Sequence, residues 1–154
     1  MATELRIDAR LAQWGVQAGG RTLATFAAAQ GLNILLSPRA RWEGPSFSTA
    51  LTLPGAPPSW GVVITLAGFL MLIGSIAGRL RPVVIGSWIA AGWCVFFAFS
   101  FAKAALDIET AGTTGFFAYA AFAVLFTGMA SIYSTSRKIE NATTACDKRE
   151  QTLI

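Results

Sequence analysis

The side chains able to do chemistry are few, and their spacing does not suit it. The 154-residue chain contains no histidine. That removes an imidazole base, a Ser-His-Asp or Cys-His arrangement, and any zinc or haem site that needs a histidine ligand. The two cysteines, Cys94 and Cys146, lie in an apolar run and in a polar tail, so neither a shared disulfide nor a shared metal site is expected. Asp107 and Glu109 are the only close pair of carboxylates between the apolar runs. They sit in a short connection, where solvated loop charge is the expected role. The thioethers Met71 and Met129 have no histidine with which to share an axial site, so no cofactor is expected. Chemistry of this poverty points away from an enzyme.

What the chain has instead is apolar surface. Hydrophobic residues make up 54% of it, charged residues 13%, and the mean hydropathy is +0.55. A soluble domain carries about 25% charged residues. A chain this apolar is accommodated by a bilayer rather than by water. The formal net charge of +4 is spread along the sequence, so no nucleic-acid partner is indicated.

Three segments free of charge approach the roughly 20 residues that cross about 30 Å of hydrocarbon as a helix. They are 60–78, 82–102 and about 112–133. Arg79 and Arg81 stop the first, Lys103 with Asp107 and Glu109 the second, and Arg137 with Lys138 the third. Pro82 suits the opening turn of a helix, where its missing N–H has no partner to lose. The first two segments therefore read as a tight antiparallel hairpin. A fourth segment, 21–37, rises only about 25 Å and carries a polar stripe. Thr22, Thr25, Gln30, Asn33 and Ser37 fall within about 140° of arc on a helical projection. Such a helix either crosses with its stripe turned to its neighbours or lies flat among the headgroups.

Short cytoplasmic loops collect Lys and Arg. With four crossings and both termini inside, Arg6, Arg10, Arg21, Arg79, Arg81, Arg137, Lys138, Lys148 and Arg149 fall on the inner side, against Arg39, Arg41 and Lys103 outside. With three crossings the two sides hold equal numbers. The expected fold is thus an all-α membrane protein: a bundle of four transmembrane helices over 21–136, preceded by an amphipathic interfacial helix at 1–20 and followed by a polar cytoplasmic tail at 137–154. The compartment expected is a membrane, with both termini on the cytoplasmic side. The apolar run Leu23–Leu36 is not expected to be a cleaved signal, because some twenty residues precede it and no small-x-small site follows before Pro38.

Outside the spans, Ile7, Leu11, Trp14 and Ala18 share one face of residues 4–18, beside Arg6 and Arg10, and Gly19-Gly20 is expected to end that helix. Residues 38–59 hold five prolines and should form a defined extracytoplasmic loop, with Trp42, Phe47 and Trp60 as headgroup anchors and a short helical turn through Ser46–Leu51. The tail is too polar to bury much surface and should be flexible or prolong the last helix briefly.

Small residues recur at helical spacing within the spans. Gly86, Ala90, Cys94, Ala98 and Ala102 are each four apart, Gly74 and Gly78 form a GxxxG pair, and Ala123, Thr127 and Ser131 continue the pattern. In lipid, such seams let backbones approach closely. They serve contacts either within one chain or between copies in a homo-oligomer.

The run Leu36-Ser-Pro-Arg-Ala-Arg-Trp-Glu-Gly-Pro-Ser-Phe-Ser-Thr-Ala-Leu51, followed by Pro54-Gly-Ala-Pro-Pro-Ser-Trp-Gly61 and hydrophobic spans, resembles small multi-pass membrane proteins of actinobacterial phages. The resemblance covers mainly residues 30–130, carries over no catalytic residue, and implies a bacterial host's inner membrane as the compartment and a holin-like lysis role for some members. Two functions are therefore expected to compete. One is a holin-like permeabiliser that self-associates through the Gly86–Ala102 seam and lines lesions with Thr22, Gln30, Asn33 and Ser37. The other is a non-permeabilising accessory or exclusion protein that binds a membrane-protein partner through its outer loop or basic tail.

Overall fold

A computed structural model describes the backbone of residues 2–44, 47–48, 50–52, 55–107 and 113–151, and the side chains of 15–38, 41–44, 47–48, 50–52, 55–107 and 113–136. Four α-helices account for most of it: α1 (Ala2–Leu36), α2 (Pro58–Ile76), α3 (Leu80–Asp107) and α4 (Thr114–Gln151). No strand occurs among the described residues. Three helical stretches are long and apolar enough to cross a membrane: Pro58–Ile76, Leu80–Asp107 and Thr114–Ser136. The all-helical class expected from composition is thus present among the described residues, with three helices of membrane-crossing length and hydropathy.

The α2–α3 hairpin is tight for a local reason. Gly78 takes a left-handed backbone (φ 64°), and the Arg79 N–H donates to the Gly74 carbonyl at 2.8 Å. This is a Schellman closure, in which glycine at the position after the cap lets the chain reverse without a Cβ clash. At the other end of α2, Pro58 is the first helical residue, where it loses no hydrogen bond.

Close backbone contacts run from α1 to α2, α2 to α3 and α3 to α4. α1 lies antiparallel along the length of α2. Arg21 Nε donates to Ser75 Oγ at 3.3 Å at one end, Ala24 and Ala28 meet Gly68 in the middle, and Gly31 and Leu35 meet Gly61 and Thr65 at the other. α1 and α4 meet through side chains, with Phe26 stacked on Phe122 at 4.6 Å and the Tyr133 hydroxyl donating to the Val16 carbonyl at 3.5 Å.

Two helices run further than expected. Gly19 and Gly20 lie inside α1 and do not break it. A Cβ at Gly20 would fall 2.8 Å from the Tyr133 hydroxyl, so the glycine makes room for α4 rather than ending a helix, at a propensity cost of about 1 kcal/mol. α4 continues to Gln151. Residues 137–151 contain no glycine or proline and several Lys, Arg, Glu and Ala residues, so nothing local stops the helix once the membrane segment has nucleated it. The expected faces at Ile7, Leu11, Trp14, Arg6 and Arg10, together with Glu109, Cys146 and the tail charges, lie outside the described side chains.

The described part of the connection between α1 and α2 packs against the bundle. It makes 3₁₀ turns at Arg39–Trp42 and Ala50–Thr52, the second overlapping the helical turn expected through Ser46–Leu51. The expectation that Trp42, Phe47 and Trp60 sit at the headgroups is corrected. Trp42 and Trp60 are 7% and 3% exposed, and Phe47 packs on Trp42, Trp60, Phe97 and Phe101 with centroid distances of 5.1–6.4 Å. Five prolines restrict the connection's freedom, so folding it against the bundle sacrifices less entropy than ordering an unrestricted chain.

Candidate functional site

The small-residue seam divides into parts with different jobs. A Cβ on Gly86 would lie 2.6 Å from the Ala67 carbonyl oxygen and 2.7 Å from Met71 Cγ, so α2 and α3 touch backbone to backbone there. Gly74 makes a second such approach, to Val83 and the Arg79 carbonyl. Ala90, Cys94 and Ala98 are buried within the same chain, and Ala102 is half-buried. Residues four apart precess about 40° per step around a helix, so a five-member row cannot face one neighbour throughout. Accordingly, Gly86 meets α2, whereas Cys94 lines a cavity to which α1 and α4 also contribute. Gly78 is no part of a seam. It is exposed, nothing lies near its Cβ position, and its role is the hairpin cap. Of the third row, Ala123 is buried, Thr127 half-buried and Ser131 exposed.

The α1–α2 seam is the contact that residue spacing left unnoticed. It is formed by Ala24, Ala28 and Gly31 against Gly61, Thr65 and Gly68. Its signal was present as small residues at four- and seven-residue intervals in both helices, the same rule that drew attention to α3.

The polar stripe of α1 points mostly out of the bundle. Thr22, Thr25 and Asn33 are exposed, while Gln30 and Ser37 are half-buried. Two hydroxyls donate to their own helix, Thr22 to the Ala18 carbonyl at 3.0 Å and Thr25 to the Arg21 carbonyl at 2.9 Å. Ser37 donates to Asn33 Oδ1 at 3.3 Å and accepts from Arg41. Gln30 turns to the flank of α1 and lines the same cavity as Cys94.

That cavity measures about 190 Å³ and is walled by Phe26, Gln30, Trp93, Tyr119, Phe122 and Phe126. The Trp93 indole N–H is buried without a hydrogen-bond partner, as are the N–H groups of Trp42 and Trp60 and the hydroxyls of Thr65 and Ser87. A second recess of about 580 Å³ lies at the end of the bundle that carries Arg21, between Gln17 of α1, the α2–α3 turn and Ser136 of α4. No cluster of three metal-ligating side chains occurs among the described residues. Asp107 is exposed at the end of α3, apart from the cavity.

Cys94 and Tyr119 are the titratable groups that line the cavity, and no carboxylate, lysine or arginine joins them there. The cavity walls are apolar and aromatic, with uncharged polar groups at two or three points, which is the composition of a binding pocket. No family model, curated protein or solved structure matches the chain.

Proposed function

We propose that this chain is a non-enzymatic, four-crossing protein of a bacterial inner membrane that serves as an accessory or exclusion factor, meeting a partner protein at its outer face. The observation that carries the reading is the folded connection. Phe47 is held by Trp42, Trp60, Phe97 and Phe101, which ties the described part of the connection to α2 and α3. A simple tether between two spans needs no such order, whereas a recognition surface gains affinity from being set before its partner arrives.

The fourth crossing is supported by depth. α1 accompanies α2 from Ser75 to Gly61, so a bilayer that contains α2 contains this part of α1 as well. The balance of Lys and Arg then favours both termini, the α2–α3 turn and the tail on the cytoplasmic side.

A holin-like permeabiliser is the second reading, and the outward-facing Thr22 and Asn33 favour it. Copies that turned α1 toward one another would bring those groups together. The Gly86–Ala98 row is already occupied inside the chain, so this route would run through α1 instead of through α3.

Controlled expression in a bacterium, with membrane potential followed over time, separates the two. Continued growth with an intact potential at high protein level supports the accessory reading. Abrupt depolarisation that is lost when Thr22 and Asn33 are replaced by leucine would overturn it in favour of the permeabiliser.

A further inference from the structure

We infer that the cavity between α1 and α4 is a binding site for a neutral, ring-sized lipophile that bears one hydrogen-bond acceptor and enters from the bilayer. The size sets the first limit. A void of about 150 Å³ lined by apolar side chains accepts benzene, and this one measures about 190 Å³. One substituted six-membered ring fits, but an extended lipid does not.

The walls set the second limit. Trp93 and Tyr119 meet edge to face at 5.6 Å, and Phe26 stacks on Phe122 at 4.6 Å. Between them they offer ring faces and edges to a flat guest. No ionised side chain lines the cavity, so a charged ligand would be stripped of water without a counter-charge, which is costly.

Polar groups set the third. Trp93 is nine-tenths buried, and its N–H has no partner. An unpaired buried donor costs about 1–3 kcal/mol, a penalty that a carbonyl or ether oxygen on the guest would relieve. Gln30 also lines the cavity, and its amide can donate as well as accept.

Access sets the fourth. Phe26 is 41% exposed and Ala118 is exposed, on α1 and α4 respectively. The mouth therefore opens sideways between the two helices whose backbones do not close on each other, where a bilayer would present dissolved lipophiles.

The test uses the full chain in lipid nanodiscs and para-fluoroacetophenone as probe, followed by fluorine NMR line broadening against empty nanodiscs. The control ligand is para-fluorocumene, which has nearly the same shape and no carbonyl. Broadening beyond the empty discs is expected for the ketone, with about fivefold weaker binding for the cumene, the worth of roughly one hydrogen bond. Ala118→Leu, at an exposed position that tolerates bulk without disturbing the core, should close the mouth and abolish the effect. Trp93→Phe should bring the ketone down to the level of the cumene. Broadening no greater than that of empty discs, broadening that survives Ala118→Leu, or equal broadening by both ligands would overturn the proposal.

Discussion

Replacing Gly86 by alanine adds one methyl group where α2 and α3 touch, and the structure fixes how much it should cost. The new Cβ would lie 2.6 Å from the Ala67 carbonyl oxygen, 2.7 Å from Met71 Cγ and 3.1 Å from the Met71 amide nitrogen. Met71 Cγ can swing aside, but the carbonyl and the amide belong to the α2 backbone and cannot. Restoring ordinary contact to the oxygen requires the helices to part locally by about 0.7 Å, and a gap of this size forfeits a quarter to a half of each dispersion contact along the seam. Overpacking of this kind costs about 1–3 kcal/mol. In lipid no hydrophobic drive compensates, because the tails outside are as apolar as the helices. Gly92 lies on the same helix with nothing within 4 Å of its Cβ position. Gly92→Ala should therefore gain up to about 1 kcal/mol from helix propensity alone. The assay is unfolding of each purified variant in mixed micelles by titration with a denaturing detergent, read by far-ultraviolet circular dichroism and tryptophan fluorescence. Both substitutions gain the same helix propensity, so Gly92→Ala should exceed the unsubstituted chain and should be more stable than Gly86→Ala by the overpacking cost, about 1–3 kcal/mol. Two variants within about 0.5 kcal/mol of each other, the usual spread for surface changes, would refute the close approach of α2 and α3.

Three further outcomes follow from named atoms. Ser87 is wholly buried with an unpartnered hydroxyl, so Ser87→Ala should raise the unfolding free energy by about 1 kcal/mol; a loss of that size would mean that the hydroxyl is bonded. Gly78→Ala should cost about 1–2 kcal/mol, the penalty for an L-residue in left-handed backbone, because its φ is 64° and no neighbour would be struck; a neutral result would remove the Schellman cap as the basis of the hairpin. Ser48 is exposed in the α1–α2 connection, so Ser48→Cys in intact cells should react with a membrane-impermeant maleimide while Cys146 stays unlabelled, and the reverse pattern would invert the orientation.

The three apolar spans were legible because charge and proline bracket them: the helices at 58–76, 80–107 and from 114 overlap the expected stretches, with ends displaced by a few residues. The hairpin was legible for the same reason, although the GxxxG spacing of Gly78 suggests packing whereas its role lies in its left-handed backbone. Two features were not legible, and both depend on long-range contact. Gly19-Gly20 looks like a helix stop in isolation, and only the Tyr133 ring lying against it explains why α1 runs through. Trp42, Phe47 and Trp60 read as interfacial aromatics from their position beside the spans, since no local pattern announces that Phe97 and Phe101 lie within reach of the connection. The pocket residues Gln30, Trp93 and Tyr119 come from three helices, so spacing along the chain could not bring them together.

The polar stripe of α1 is less costly to a single copy than its composition suggests, and this bears on whether copies need one another. Thr22 and Thr25 return their hydroxyl protons to carbonyls one turn back at 3.0 and 2.9 Å, so each presents chiefly a methyl group to its surroundings. Gln30 faces the cavity instead of the outer surface of the bundle. Ser37 and Asn33 satisfy each other in part and connect to Arg41. Asn33 lies within one turn of the end of α1 at Leu36, about 4.5 Å along the axis, where interfacial water can reach its amide. Each polar group thus has a local answer that requires no second copy. A stripe built to line an aqueous lesion would leave its hydrogen-bonding groups free along the whole depth of the span. The bonded hydroxyls of Thr22 and Thr25, together with a seam closed within the chain, therefore weigh toward a bundle that keeps the membrane sealed.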